Sequence, residues 1–132
     1  MHINGSAMSA PDATELYTVQ KRLKSACKNL HIMAPEVGMA RQLIDYDSDR
    51  RRNLLARYMV KHLKNGESVS AAENYARSDE GYQNELHGLA GVLEQAYGAV
   101  KRWDAEMASW ESSRSLLSLI KETMKTLPGT ED

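Results

Sequence analysis

From Tyr82 onward the chain carries an unusually regular alternation of apolar and polar positions. Tyr82, Leu86, Leu89, Leu93, Ala96, Val100, Trp103, Met107 and Trp110 recur four and three residues apart, the spacing of a heptad seam on one helix. The phase slips near Ser113 and Arg114, after which Leu117, Ile120, Met124 and Leu127 continue it in a shifted register. Ser78 or Asp79 is placed to open this helix and Pro128-Gly129 to stop it. Unbroken to Thr126 it would be roughly 70 Å long at 1.5 Å per residue, too long for a compact globule of this size. Gly88, Gly91 and Gly98 lie inside it, each about 1 kcal/mol less favourable than alanine in a helix. They read as sites of close helix approach or, alternatively, as a hinge.

Two shorter helices are predicted before it. The first runs from about Pro11 to Met33: Ser9 can cap it, and Asp12 and Glu15 sit at the positive end of its dipole. Leu16, Val19, Leu23, Ala26, Leu30 and Met33 form one apolar face, with Lys21, Lys24 and Lys28 opposite. Pro35 is expected to end or restart the helix, because the residue before a proline is pushed out of the α region. The second helix then spans about Glu36 to Lys64, with Val37, Ala40, Ile44, Leu55, Tyr58, Met59 and Leu63 on one face and Asn65-Gly66 as its stop. Ser70 and Glu73 have capping-box spacing, which predicts a short helical turn through Ala76. The expected fold is all-α and elongated, with two shorter helices packed on one long, coiled-coil-like C-terminal helix. Residues 1–10 read as a disordered terminus or an expression remnant, 11–127 as a single helical domain and 128–132 as an acidic tail.

Composition agrees with helices: Phe is absent, while Ala, Leu, Met, Glu, Lys and Arg are plentiful. The single cysteine, Cys27, excludes an internal disulfide and suits a reducing, cytoplasmic setting. The N-terminus MHINGSAMSA has neither a basic n-region nor an apolar run, so no signal peptide or membrane anchor is expected. Net charge is −1, but it is unevenly distributed: residues 1–64 hold eleven Lys and Arg against six Asp and Glu, and residues 65–132 hold six against twelve. Such a split serves an anionic partner or lets the two halves attract each other.

Little in the sequence carries catalytic chemistry. Asp45, Asp47 and Asp49 match the first three ligand positions of an EF-hand loop, but Arg50 stands where that loop needs glycine and Ala56 where it needs a bidentate glutamate. His2, His31, His62 and His87 are far apart, and neither HExxH nor CxxC occurs. His62 falls on the apolar side of its helix, where a hydrogen-bonded core or interface role is expected. Cys27 lies on the flank of an apolar face and reads as a small hydrophobe. With no P-loop, GxGxxG or GxSxG, the expectation is a protein that is not an enzyme and has no metal or cofactor.

The basic residues of the second helix are the remaining candidates. Arg50, Arg57, Lys61 and Lys64 form a stripe almost opposite the apolar face, suited either to solvent or to a phosphate backbone, while Arg51 and Arg52 flank the apolar side. Because buried arginines need carboxylates, these two are expected to meet Glu85, Glu94 or a partner subunit, with Asp47 pairing Arg51 at i,i+4. Tyr46, close to the basic face, adds an aromatic on which a base can stack.

The order of elements, with the run RNLLARYMVKHLKNGES, the short SAAENYARSD segment, and a long helix carrying GYQNELHGLAGVLEQAYGAVKRW and RSLLSLIKETM, resembles small helical bacteriophage proteins, in particular the UvsY-type recombination mediators. The resemblance covers roughly residues 49–126. It implies a ring-like homo-oligomer built through the C-terminal helix, which binds single-stranded DNA and helps load a recombinase. Arg50, Arg51, Arg52, Arg57, Lys61 and Lys64 would form the DNA-contacting region, and Leu86, Leu89, Leu93, Val100, Trp103, Met107 and Trp110 the assembly seam. The rival expectation is a protein-only interaction module, such as a phage-encoded inhibitor of a host defence or nucleic-acid enzyme. A third needs only the coiled-coil seam.

Overall fold

The computed structural model describes residues 13–126, and every regular element among them is an α-helix. In chain order these are α1 (Ala13–Asp45), α2 (Asp47–Lys64), α3 (Val69–Ser78) and α4 (Glu80–Lys125). The expected first-helix cap at Ser9, the Pro128-Gly129 stop and the two terminal segments lie outside the described residues. No helix among those described is long and apolar enough to cross a membrane.

Pro35 does not end a helix; it lies inside α1, which corrects the expected boundary. A proline at this point removes the hydrogen bond to the His31 carbonyl, but His31 and Pro35 are both exposed positions of the helix. On the inner side Met33 and Val37 keep the apolar stripe unbroken across the proline. The interruption falls instead at Tyr46, whose φ of −98° and ψ of 6° separate α1 from α2. Hydrogen bonds from Tyr46 N to Gln42 O and from Arg50 N to Tyr46 O, both 3.0 Å, carry the chain through with little change in the ladder. Asp47 and Asp49 then occupy the first turn of α2, where acids complement the dipole, and no calcium-type loop forms.

The described residues fall into two compact units, one of residues 13–34 with 103–126 and one of residues 35–102. The first unit is an antiparallel pair of helical segments. Trp110 donates its indole N–H to Cys27 Sγ at 3.1 Å, and Asn29 donates to Glu106 Oε1 at 2.8 Å. Val19, Ala26, Ser113 and Ile120 are buried there, while Leu16, Leu23, Leu30, Trp103, Met107, Trp110 and Leu117 are half-buried. The phase slip is visible at Ser113, which takes the buried position where continued four-three alternation would put Arg114. Arg114 thereby stays at the surface, with its guanidinium 4.8 Å from the centroid of the Trp110 ring.

The second unit is built on Ala40, Ala96 and Ala99, against which Leu43, Ile44 and Val100 pack. Glu36 of α1 accepts from Arg102 Nη2 of α4 at 2.8 Å, again an antiparallel pairing. α2 lies beside the start of α4, with the Tyr58 ring edge-on to the buried Tyr82 at 5.7 Å and 70°. Leu54, not Leu63, is the buried residue of α2; Leu63 is exposed. α4 runs without interruption through Gly88, Gly91 and Gly98.

Helix ends follow local chemistry. Gly66, at φ +85°, closes α2: its N–H bonds Leu63 O at 3.1 Å, and Glu67 N–H bonds His62 O at 3.2 Å. This is the paired C-terminal bonding that a left-handed glycine permits. The cap of α3 is Ser68, whose Oγ accepts from Ala71 N at 3.2 Å, two residues before the expected Ser70 box. The turn at Gly66 already leaves Ser68 extended, at φ −66° and ψ 161°, so it is the first residue able to cap. Asp79 caps α4 by accepting from Tyr82 N at 3.1 Å.

Pro35→Ala restores a backbone donor at an exposed helical position. It is expected to stabilise the chain by about 2 kcal/mol, read as a higher urea midpoint with unchanged helicity. A midpoint at or below that of wild type would mean that the proline is needed where it is.

Candidate functional site

The six basic residues singled out on α2 divide into two groups. Arg51 Nε bonds Asp47 Oδ2 at 2.9 Å, the expected i,i+4 pair, and Arg52 Nη1 bonds Asp49 Oδ1 at 3.2 Å; neither arginine bonds Glu85 or Glu94 of α4, the other partners expected. The reason is proximity: partners three and four residues away need no tertiary contact. Arg57 is the one that crosses to α4, where it bonds Glu85. Arg50, Lys61 and Lys64 are exposed and have no ion-pair partner among the described residues. Lys61 and Lys64 also sit in the last turn of α2, where cations complement the dipole.

Glu85 is the hub of this face. Its carboxylate accepts from the Arg57 guanidinium and from the Tyr58 hydroxyl, tying α2 to α4. Gly81 makes room for the arrangement: a Cβ there would stand 3.0 Å from the Tyr58 hydroxyl and 3.0 Å from the capping Asp79 Oδ1. Hydrogen bonds from Tyr58 first and Arg57 second hold the Glu85 carboxyl below its ordinary 4.5. Donation to that carboxylate holds the Tyr58 phenol above its ordinary 10.0, with burial adding to the shift.

Between the two helices runs a groove of about 640 Å³, lined by Arg50, Asn53, Leu54 and Arg57 of α2 and by Glu85, Gly88, Leu89 and Val92 of α4. A Cβ built at Gly88 meets nothing within 4 Å. Within the chain, then, no close approach explains a residue that costs a helix interior about 1 kcal/mol, and the expected packing role of Gly88 is not met there.

Exposed aromatic rings border the basic residues. Tyr46, 60% exposed, stands one turn before Arg50. Tyr75 of α3, 55% exposed, stacks on the His62 ring at 5.0 Å and 15°. His62 is itself anchored by a 2.8 Å contact between Nδ1 and Glu67 Oε2, in keeping with the hydrogen-bonded role expected of it. Of the seam residues, Leu86, Leu89, Leu93, Val100, Trp103, Met107 and Trp110 all lie on the inward side of α4, and all remain half-buried. The buried seam positions are Tyr82 and Ala96, with Ile120 in the shifted register. Among the described residues no three His, Cys, Asp or Glu side chains come together as a metal-binding group.

Reasoning on single helices missed Glu85 as a ligand of Tyr58, Tyr75 as a surface ring, and the bond between Trp110 and Cys27. Each joins residues remote in sequence. Only the aromatic character of Tyr75 was there to be read, and nothing in its spacing marks it as a neighbour of His62. No family model, curated protein or solved structure matches this chain.

The Glu85 hub makes stability depend on pH at both ends. The carboxylate's contribution is present above 4.5 and lost as pH falls through its lowered folded value. The phenol's contribution is present below 10.0 and lost as pH rises through its raised folded value. Denaturant titrations of wild type and Tyr58→Phe should therefore differ by a constant amount between those limits and converge outside them. A difference that persists unchanged into strong acid would exclude the hydrogen bond to Glu85 as its source.

Proposed function

We propose that this protein is a non-catalytic accessory factor that assembles with copies of itself and holds single-stranded DNA during recombination or replication. The observation that carries this reading is the surface of α2. Arg50, Lys61 and Lys64 are exposed without a carboxylate partner among the described residues, and Tyr46 precedes Arg50 by one turn. Cations that neutralise phosphates, interleaved with rings on which bases stack, are the two components of sequence-tolerant single-strand binding. The Tyr75 ring on His62, the residue after Lys61, supplies a second stacking surface. The pattern-level likeness of residues 49–126 to UvsY-type mediators points the same way and suggests a recombinase as the protein partner, in a cytoplasmic setting.

Incomplete cover supports the self-assembly part of this reading. Leu86, Leu89, Leu93, Val100, Trp103, Met107 and Trp110 keep part of their apolar surface in solvent, and a second copy would remove it from water. A protein-only module, such as an inhibitor that presents its helices to a host defence or nucleic-acid enzyme, is the second reading. The internal pairing of Arg51, Arg52 and Arg57 with Asp47, Asp49 and Glu85 favours it, since half of the basic set is already neutralised. The Arg52–Asp49 and Arg57–Glu85 pairs are exposed and weak, however, and yield readily to a phosphate.

Fluorescence anisotropy of a labelled oligo-dT separates the two. The expected result is salt-sensitive binding that Lys61→Glu/Lys64→Glu weakens by roughly tenfold or more, with light scattering showing the same oligomer for both proteins. A well-folded oligomer that leaves oligo-dT free even at low salt would remove the DNA reading in favour of a protein partner.

A further inference from the structure

We infer that the groove between α2 and α4 seats one unpaired base of a bound strand, with flanking phosphates on Arg50 and Arg57; this rests on the single-strand reading of the α2 surface. The two arginines project from the same side of α2 two turns apart, about 10 Å along the axis, and bracket Asn53. Asn53 offers both an amide donor and a carbonyl acceptor, which suits the edge of any base. Beneath them the floor is apolar: Leu54 is 7% exposed, Leu89 is half-buried, and Val92, at 38%, presents its methyl groups to the opening.

The dimensions favour a nucleotide over a helix. A space of about 640 Å³ lies within the range of roughly 300–1,000 Å³ typical of small-ligand clefts. A second helix needs a trough about 10 Å wide along several turns. Gly88 forms part of the wall and leaves it open, since any side chain there would project into free space.

The charges favour an anion that displaces a carboxylate. Two guanidinium groups face one acid, Glu85, and in the free protein that acid holds Arg57. The Arg57 and Glu85 side chains are 63% and 47% exposed, so the pair is easily exchanged. A phosphate arriving at Arg57 takes over its hydrogen bonds, while Glu85 keeps the Tyr58 hydroxyl. Paired bases are stacked inside a duplex and cannot enter the groove, which therefore selects for single strands.

The test uses the full chain, labelled oligo-dT and two variants. Gly88→Met fills the groove while replacing glycine by a better helix former, so folding is not at risk. It is expected to weaken oligo-dT binding by about tenfold, the scale of one lost base contact, with assembly unchanged in light scattering. Glu85→Gln removes the competing charge and is expected to tighten binding several-fold and steepen its salt dependence. If Gly88→Met binds like wild type while Lys61→Glu/Lys64→Glu is impaired, the strand runs over the outer face and the groove assignment falls, with the DNA reading intact. If Gly88→Met changes the oligomer and not the affinity, the groove is an interface between copies, which also overturns the assignment. Failure of wild type itself to bind oligo-dT would remove the underlying reading and this inference together.

Discussion

The structure depends on alanine packing between the two long helices. In the unit of residues 35–102, Ala40, Ala96 and Ala99 form the core, and in the unit of residues 13–34 with 103–126, Ala26 is buried, as are Val19, Ser113 and Ile120. Small side chains let two helices approach closely, but each buried methyl contributes only about 0.8 kcal/mol, against roughly 1.5–3 for a fully buried leucine or valine. Most of the larger seam residues, Leu86, Leu89, Leu93, Val100, Trp103, Met107 and Trp110, are only half covered. Both the fold and its incompleteness come from this one choice of core.

Polar links at the surface supply what so modest a core does not: a fixed alignment of the helices. Arg102 with Glu36, Asn29 with Glu106, and Arg57 and Tyr58 with Glu85 each tie α4 to a helix that precedes it. Apolar contacts between repeating alanines specify a sliding seam poorly, because one heptad looks like the next. A directional bond between particular residues specifies it well. In this sense the carboxylate of Glu85 does for α2 what a stripe of alanines cannot.

Much of the fold was legible in the sequence because it is periodic. The long seam from Tyr82 to Met124, the left-handed stop at Gly66 and the slip near Ser113 all follow from spacing or from one residue's backbone preference. The errors came where tertiary context overrode a local rule. Pro35 was read as a terminator, yet the stripe from Met33 to Val37 outweighs one missing hydrogen bond on a wet face. The pairing of Arg51 with Asp47 is legible at i,i+4, whereas Arg52, expected to reach α4, takes the nearer Asp49. The basic face of α2 was visible on a helical wheel, but the groove beside it was not, because it needs α4 set against α2 and a glycine at the right height.

The placement of the aromatic residues has a spectroscopic consequence. Both tryptophans, Trp103 and Trp110, belong to the unit of residues 13–34 with 103–126, and the Trp110 indole rests against a thiol. Of the tyrosines, Tyr46, Tyr58, Tyr75, Tyr82 and Tyr97 belong to the other unit. Indole emission therefore follows one unit and phenol absorbance chiefly the other, so the chain carries a separate intrinsic optical label for each half of its architecture.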